Sequence, residues 1–321
     1  MDWPNHALAW KEWRRAMEGA RMHHGWMLAG KSGLGKHDFA LAAARELVAE
    51  DGVPQPGGHH PDILVLTHLP KDEKEEKKRE EGKPYQVKRN IGVAQIRAMQ
   101  RRLTTRPTLG SRRAIIVDPA DDMETSASNA LLKSLEEPPQ GTFFLLVTHR
   151  PARLLPTIRS RCRLLRFPLI GDADLARMLE NQTSNAPSQA REAAVRAAEG
   201  SFGAALRFVE QDLGALARLI EQILSQGDAT FVTRGELART IGPRADRERI
   251  DAVLELAQAI VAERARRTEN PSGRTRYVEL HSELVKLAGQ TPTFNFDTGL
   301  LAMEIGTLLS TASEASEHAN G

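Results

Sequence analysis

Residues 113–123 read RAIIVDPADDM, residues 128–140 read SNALLKSLEEPPQ, and residues 143–169 read FFLLVTHRPARLLPTIRSRCRLLRFPL. Three apolar runs, Ala114 to Val117, Phe143 to Val147 and Leu164 to Phe167, alternate with two segments of helical character. Short runs without polar alternation, set between helices, are the pattern of strands buried on both faces of a parallel sheet. The first run closes on Asp118, a carboxylate at the carboxyl edge of a strand, where open α/β sheets hold their ligands. A helix around Asn129–Glu137 stops at Pro138–Pro139, because a residue before proline leaves the α region and Pro139 has no amide to donate. A second helix near Leu154–Arg159 ends at Ser160-Arg161-Cys162, just ahead of the last strand.

On the amino side, Trp26 to Ala29 reads as a buried strand and Phe39 to Val48 as a helix. Between them Gly30-Lys31-Ser32-Gly33-Leu34-Gly35-Lys36 satisfies the phosphate-loop pattern up to its last position. Gly30, Gly33 and Gly35 let successive backbone N–H groups turn inward around phosphate oxygens, and Lys36 reaches the outer phosphates. The next residue should carry a hydroxyl for magnesium. It is His37, a poorer ligand for a hard octahedral cation. Asp118 stands where a nucleotide hydrolase holds its magnesium-bound carboxylate, but the Glu that would orient the attacking water is replaced by Pro119. Asp121 and Asp122 fall further into the loop and are discounted as site residues. These residues predict a degenerate phosphate loop in which ATP binding stays open and no cofactor is required.

The composition narrows the classes. With 321 residues the chain exceeds a single core, and a formal net charge of +2 gives no global basic field for nucleic acid. One cysteine, Cys162, leaves no disulfide framework or multi-cysteine zinc site and fits a reducing compartment. The amino terminus has no signal-type apolar core, and no run of about 18 apolar residues is long enough to span a membrane, so a cytoplasmic protein is expected. His59 and His60 are adjacent, point apart and lack a third ligand, so a metal reading is set aside. Residues 71–83 balance six basic against six acidic side chains and read as a solvated excursion or mobile loop rather than a DNA patch, with Tyr85 to Val87 resuming as a strand. Arg101, Arg102, Arg106, Arg112 and Arg113 form a cluster without acids, read either as cations at a helix carboxyl end or as phosphate contacts. Arg161 has two open readings as well: a partner for a carboxylate or carbonyl, or an arginine finger reaching a neighbouring subunit's γ-phosphate. After Pro168 the chain turns Ala-rich and helical, through Leu216, Leu219, Ile220 and Ile223, then Ile250 to Val261, Val278–Leu287 and Leu300–Leu309. The last ten residues are expected to fray.

Gly30–Lys36, His60-Pro61-Asp62, SNALLKSLEEPP and the IRSRC that follows it together resemble the clamp-loader branch of the AAA+ ATPases. The resemblance implies a RecA-like AAA+ domain over residues 1–168, a helical lid over 169–210 and a helical collar over 211–321 that closes a ring by heterologous contacts. Motor subunits of that branch keep Ser or Thr after the loop lysine, Glu after the strand Asp, and an Arg in the lid. Here those positions hold His37, Pro119 and Gly203. Arg161 matches the residue that a non-hydrolysing member offers in trans. The family's zinc-binding cysteines, expected before the His-Pro-Asp element, are replaced by DGVPQPGG, so no zinc is implied. The implied partners are motor subunits of the gamma/tau type, a delta subunit, the β sliding clamp indirectly, and primed DNA through the assembled hetero-oligomer, with no membrane. Two rival readings are an ATP-hydrolysing motor subunit of the gamma/tau type that uses Lys36 and Asp118 and a stand-alone DNA-binding protein that uses the Arg101–Arg113 cluster.

Overall fold

The computed structural model describes residues 2–19, 22–243, 245–291 and 297–313. The chain divides into two compact units, Met1–Leu169 and Ile170–Gly321. The first unit runs α1 (Ala7–Glu18), β1 (Gly25–Ala29), α2 (Lys36–Val48), β2 (Ile63–Leu66), α3 (Glu73–Glu80), α4 (Val93–Leu103), β3 (Arg113–Val117), α5 (Thr125–Glu136), β4 (Thr142–Thr148), α6 (Pro156–Arg159) and β5 (Arg163–Arg166). Its five strands form one parallel sheet in the order β2-β3-β4-β1-β5. The register pairs Gly25 with Phe144, Arg113 with Thr142 and Trp26 with Arg163.

The run from Ala114 to Val117 is buried as read, as is every residue of β1, and Phe143 to Val147 is buried apart from half-buried Phe143. The run from Leu164 to Phe167 is not, because β5 lies at the sheet edge and leaves Arg166 exposed and Leu164 half-buried. On one face of the sheet Ile115, Val117, Met27 and Phe144 pack with Ile96 and Met99 of α4 and Leu131 of α5. The helix α2 approaches the sheet closely because Ala40, Ala43 and Ala44, all 0% exposed, present no bulk there. The indole rings of Trp13 and Trp26 meet edge to face at 5.3 Å. α5 stops at Glu136, ahead of the Pro138–Pro139 pair.

Two expectations in this unit are corrected. Residues 71–83 contain a helix: Asp72 caps it by accepting from the amides of Lys74 and Glu75 at 3.0 Å, and Lys78 pairs with Glu75 at 2.7 Å. Tyr85 to Val87 is no strand; Val87 makes one antiparallel bridge, to Pro70.

The second unit is helical: α7 (Asp172–Gln182), α8 (Ser188–Ala198), α9 (Phe202–Glu210), α10 (Gly214–Gln226), α11 (Val232–Ile241), α12 (Arg247–Arg267), α13 (Pro271–Gln290) and α14 (Thr298–Thr311). The chain turns between α8 and α9 through Glu199 and Gly200, both at positive φ. A buried ion pair organises α11. Arg234 and Asp228, 7% and 2% exposed at their side chains, meet at 3.0 Å, and Arg234 also donates to the carbonyl of Asp228 and to Thr307 of α14. The expected fraying of the last ten residues concerns positions that, from 314 on, lie outside the described ones. No helix among the described residues is long and apolar enough to cross a membrane.

Candidate functional site

The glycine loop connects the carboxyl end of β1 to the amino end of α2. Gly35 stands immediately before α2 at φ +73°, in the left-handed region that favours glycine, and a Cβ there would lie 2.2 Å from the Trp3 ring. Gly30 is equally constrained, because a Cβ would lie 2.6 Å from the carbonyl oxygen of Phe167. Lys36, 3% exposed, turns back on its own loop: Nζ donates to the carbonyls of Gly30 at 2.7 Å and Lys31 at 2.6 Å. Burial pushes its pKa down to about 8, against the pull of Asp118 and Asp121.

The substituted position has a partner. Nδ1 of His37 lies 2.6 Å from Oδ2 of Asp118, and that hydrogen bond raises the imidazole pKa above its ordinary value. The two residues that in a magnesium site would converge on the cation therefore bind each other. Pro119, joined to Asp118 by a cis peptide, brings neither a carboxylate nor an amide donor to the place where a water would be oriented. This donor set does not fit a magnesium–nucleotide centre.

Sequence reasoning missed Asp121, which it discounted as loop. Its carboxylate accepts from the Thr148 hydroxyl and from the amides of His149 at 2.7 Å and Arg150 at 2.9 Å, fastening the end of β4 to the loop after β3. Asp122 meets Nε2 of His68 at 3.2 Å. His149 sits behind these groups with its pKa lowered by burial and by the nearby Lys36 ammonium. A threonine closing a buried apolar run, followed by histidine, was the available signal for that corner.

The other motifs resolve into structure. Asp62, 0% exposed, accepts from the amides of Thr108 at 2.6 Å and Leu109 at 2.8 Å. His60 accepts from the Asp62 amide and bonds Gln55 through its other nitrogen at 2.8 Å. The arginine cluster divides. Buried Arg113 donates to the carbonyls of Arg102, Thr105 and Arg106 at the carboxyl end of α4, while Arg101, Arg106 and Arg112 are exposed. Cys162 is half-buried in the core beside Gly25, and burial pushes its thiol up to about 12.

Arg161 follows α6 at the opposite edge of the sheet from the glycine loop. Its carbonyl lies beside Gly25, at the start of β1, whereas the loop leaves the end of β1. A five-residue strand at roughly 3.3 Å per residue separates the two by about 16 Å. The guanidinium, 36% exposed, bonds Glu136 at 2.7 Å and the carbonyl of Thr157 at 3.0 Å. Both sequence readings of Arg161 therefore bear on one side chain: it has a carboxylate partner and it is accessible. It cannot serve its own loop.

Residues 5–170 match the model of the family described as DNA polymerase III, delta subunit. The chain is similar to the DNA polymerase III subunit delta' of Pseudomonas aeruginosa, 31% identical over 201 residues that cover 59% of this chain and 56% of that one. The Bacillus subtilis subunit delta' is 32% identical over 208 residues, covering 58% of this chain and 57% of that one. The gamma/tau subunit of Mycobacterium tuberculosis H37Rv is 30% identical over 201 residues, 58% of this chain and 32% of the other. The matched stretch thus spans just over half the length of these two delta' relatives. Among solved structures, a gamma subunit-related protein of Thermotoga maritima aligns with a TM-score of 0.45 and 20% identity, over 94% of this chain and 98% of that one.

Proposed function

The chain belongs to the DNA polymerase III delta-subunit family, and on that premise we propose that it is a non-hydrolysing subunit of a clamp loader that presents Arg161 to the nucleotide of a neighbouring motor subunit. Its partners in this reading are motor subunits of the gamma/tau type and a delta subunit. Together they open the β sliding clamp and place it on primed DNA during replication. Residues 169–210 act as the lid and 211–321 as the collar through which the ring closes.

The observation that carries the reading is the division of labour across the sheet. At the carboxyl edge Lys36 is committed to loop carbonyls and Asp118 to His37, so the parts that would bind and turn over magnesium–ATP are engaged with one another. At the amino edge Arg161 is accessible and about 16 Å from that loop, so any phosphate it reaches belongs to another chain. An arginine supplied in trans stabilises charge on the transferring phosphoryl group. Gly203, in the lid position where motor subunits carry an arginine, supports the same reading.

The test has two parts. Calorimetric titration of the chain with Mg-ATP, followed by a phosphate-release assay on the same sample, is expected to give no turnover. In a complex reconstituted with motor and delta subunits, Arg161→Ala is expected to fold and assemble but to depress ATPase and clamp loading by about 10³-fold or more at the affected site. Hydrolysis by the chain alone that disappears in Lys36→Ala would make it a motor subunit instead.

A further inference from the structure

The accessible arginine is held, and the residue holding it is oddly placed for any other purpose. Glu136 is the last residue of α5, followed by Glu137. Two acids at the carboxyl end of a helix oppose its macrodipole, so local helix stability does not account for them. The end of α5 is itself fixed: Leu135 is 1% exposed, and His24 donates through Nε2 to the Leu135 carbonyl at 2.8 Å. From this anchored point Oε1 of Glu136 takes Nη2 of Arg161 at 2.7 Å. On the other side Nη1 donates to Thr157 at 3.0 Å and lies 3.4 Å from the Ser160 hydroxyl. A guanidinium has five N–H groups in a rigid plane, so these contacts leave part of its donor set for phosphate oxygens.

We propose that Glu136 is the positioning residue for Arg161: it clamps one edge of the guanidinium against α6, so that the remaining N–H groups are aimed outward before a neighbour's phosphate arrives. The inference rests on the reading of Arg161 given above and adds the residue that prepares it. Holding a long, flexible side chain in its working geometry removes an ordering cost that would otherwise fall on the catalytic complex. The carboxylate is itself 48% exposed, so the pair is a solvent-screened contact that orients the arginine without neutralising it as a buried pair would.

The experiment is steady-state ATPase of the reconstituted complex carrying Glu136→Ala, Glu136→Gln, Glu137→Ala, Arg161→Ala or the double variant Glu136→Ala/Arg161→Ala. Each chain is first checked for its melting temperature and for assembly by size-exclusion chromatography. Glu136→Ala is expected to lower kcat by about threefold to fivefold, the scale of one exposed ion pair, with KM for ATP changed less than about twofold. Glu136→Gln keeps an acceptor oxygen and should recover most of the loss. Glu137→Ala, which removes the same charge one residue away, should match the unaltered chain. The double variant should equal Arg161→Ala alone. Unchanged or faster turnover in Glu136→Ala, with Arg161→Ala impaired, would overturn the positioning role while leaving the arginine's role standing. Normal turnover in Arg161→Ala would overturn both.

Discussion

Nδ1 of His37 and Oδ2 of Asp118 stand 2.6 Å apart, joining the first turn of α2 to the end of strand β3. In a working phosphate-loop site those two positions are bridged by magnesium. Here an imidazole and a carboxylate close the same gap directly, and the loop lysine closes on Gly30 and Lys31 in the same way. The corner keeps its shape through its own hydrogen bonds.

The pair makes stability depend on pH with a definite sign. The folded pKa of His37 lies above its unfolded value because the Asp118 carboxylate favours the imidazolium. Its contribution is complete below about 6.5, the unfolded histidine value, and is lost as pH rises through the raised folded value. Lys36 works the other way: with its folded pKa depressed to about 8, the folded state gains stability as pH rises from there toward the unfolded lysine value. Titration of the His37 ring protons by NMR is expected to give a pKa above 6.5 that falls back toward 6.5 in Asp118→Asn. In urea denaturation, Asp118→Asn should lose stability at pH 6 relative to the unaltered chain, by about 0.2–1 kcal/mol for a pair that is accessible on its histidine side, and less at pH 9.

A second prediction concerns what the histidine displaces. His37→Thr restores a hydroxyl and frees the Asp118 carboxylate from its partner. Titration of this variant with ATP is expected to show binding that tightens by at least about tenfold, ~1.4 kcal/mol, on adding magnesium. The unaltered chain should show no such magnesium effect. A magnesium-independent result in His37→Thr would mean that the pair is not what spoils the cation site.

Local chemistry was legible in the sequence, and pairing across the fold was not. The strand, glycine loop and helix could be read because each rests on neighbouring residues: buried apolar runs, small loop residues, a helix start. His37 and Asp118 are 81 positions apart; the glycine-loop pattern and a parallel sheet put both at the carboxyl edge, but that they bond each other directly is a fact of packing. The helix α3 was missed because it has no apolar stripe, although its Asp72 cap and i,i+3 pairs were there to be read. The helix α11 was missed for a subtler reason. Its buried positions are Arg234, Leu237 and Ile241, spaced as in any amphipathic helix, with an arginine in the first apolar place. That arginine is tolerated because Asp228 meets it in the interior, again a fact of packing.

At Gly35 two constraints coincide, φ of +73° and the Trp3 ring 2.2–2.6 Å from where a Cβ would stand. Gly35→Ala should therefore cost about 1–2 kcal/mol from the left-handed backbone alone, with a further penalty for displacing the indole. Trp3 also donates from Nε1 to Asp38 at 2.9 Å, so its displacement would break that bond. Urea denaturation followed by tryptophan fluorescence reads both parts. In a Trp3→Ala background the cost of Gly35→Ala should shrink to the backbone part. An equal cost in the two backgrounds would show that the ring gives way freely.

The His-Pro-Asp element is assigned a structural task, and Asp62 tests it. The carboxylate, 0% exposed, satisfies the amides of Thr108 and Leu109, and it lies 3.9 Å from buried Arg113. Arg113 in turn holds the carboxyl end of α4 through three carbonyls. Removing the acid leaves two buried amides without acceptors and a buried guanidinium without its counter-charge, a combination that costs about 3–5 kcal/mol. Asp62→Ala is expected to lower the unfolding free energy measured in urea by that amount, while Asp62→Asn, which keeps one carbonyl oxygen, should lose roughly half as much. If the element served nucleotide or DNA instead, Asp62→Ala would fold normally and fail only in the reconstituted complex. The two outcomes separate in a single unfolding curve, because a residue that bonds the loop before β3 cannot be removed without loosening the strand that carries Asp118.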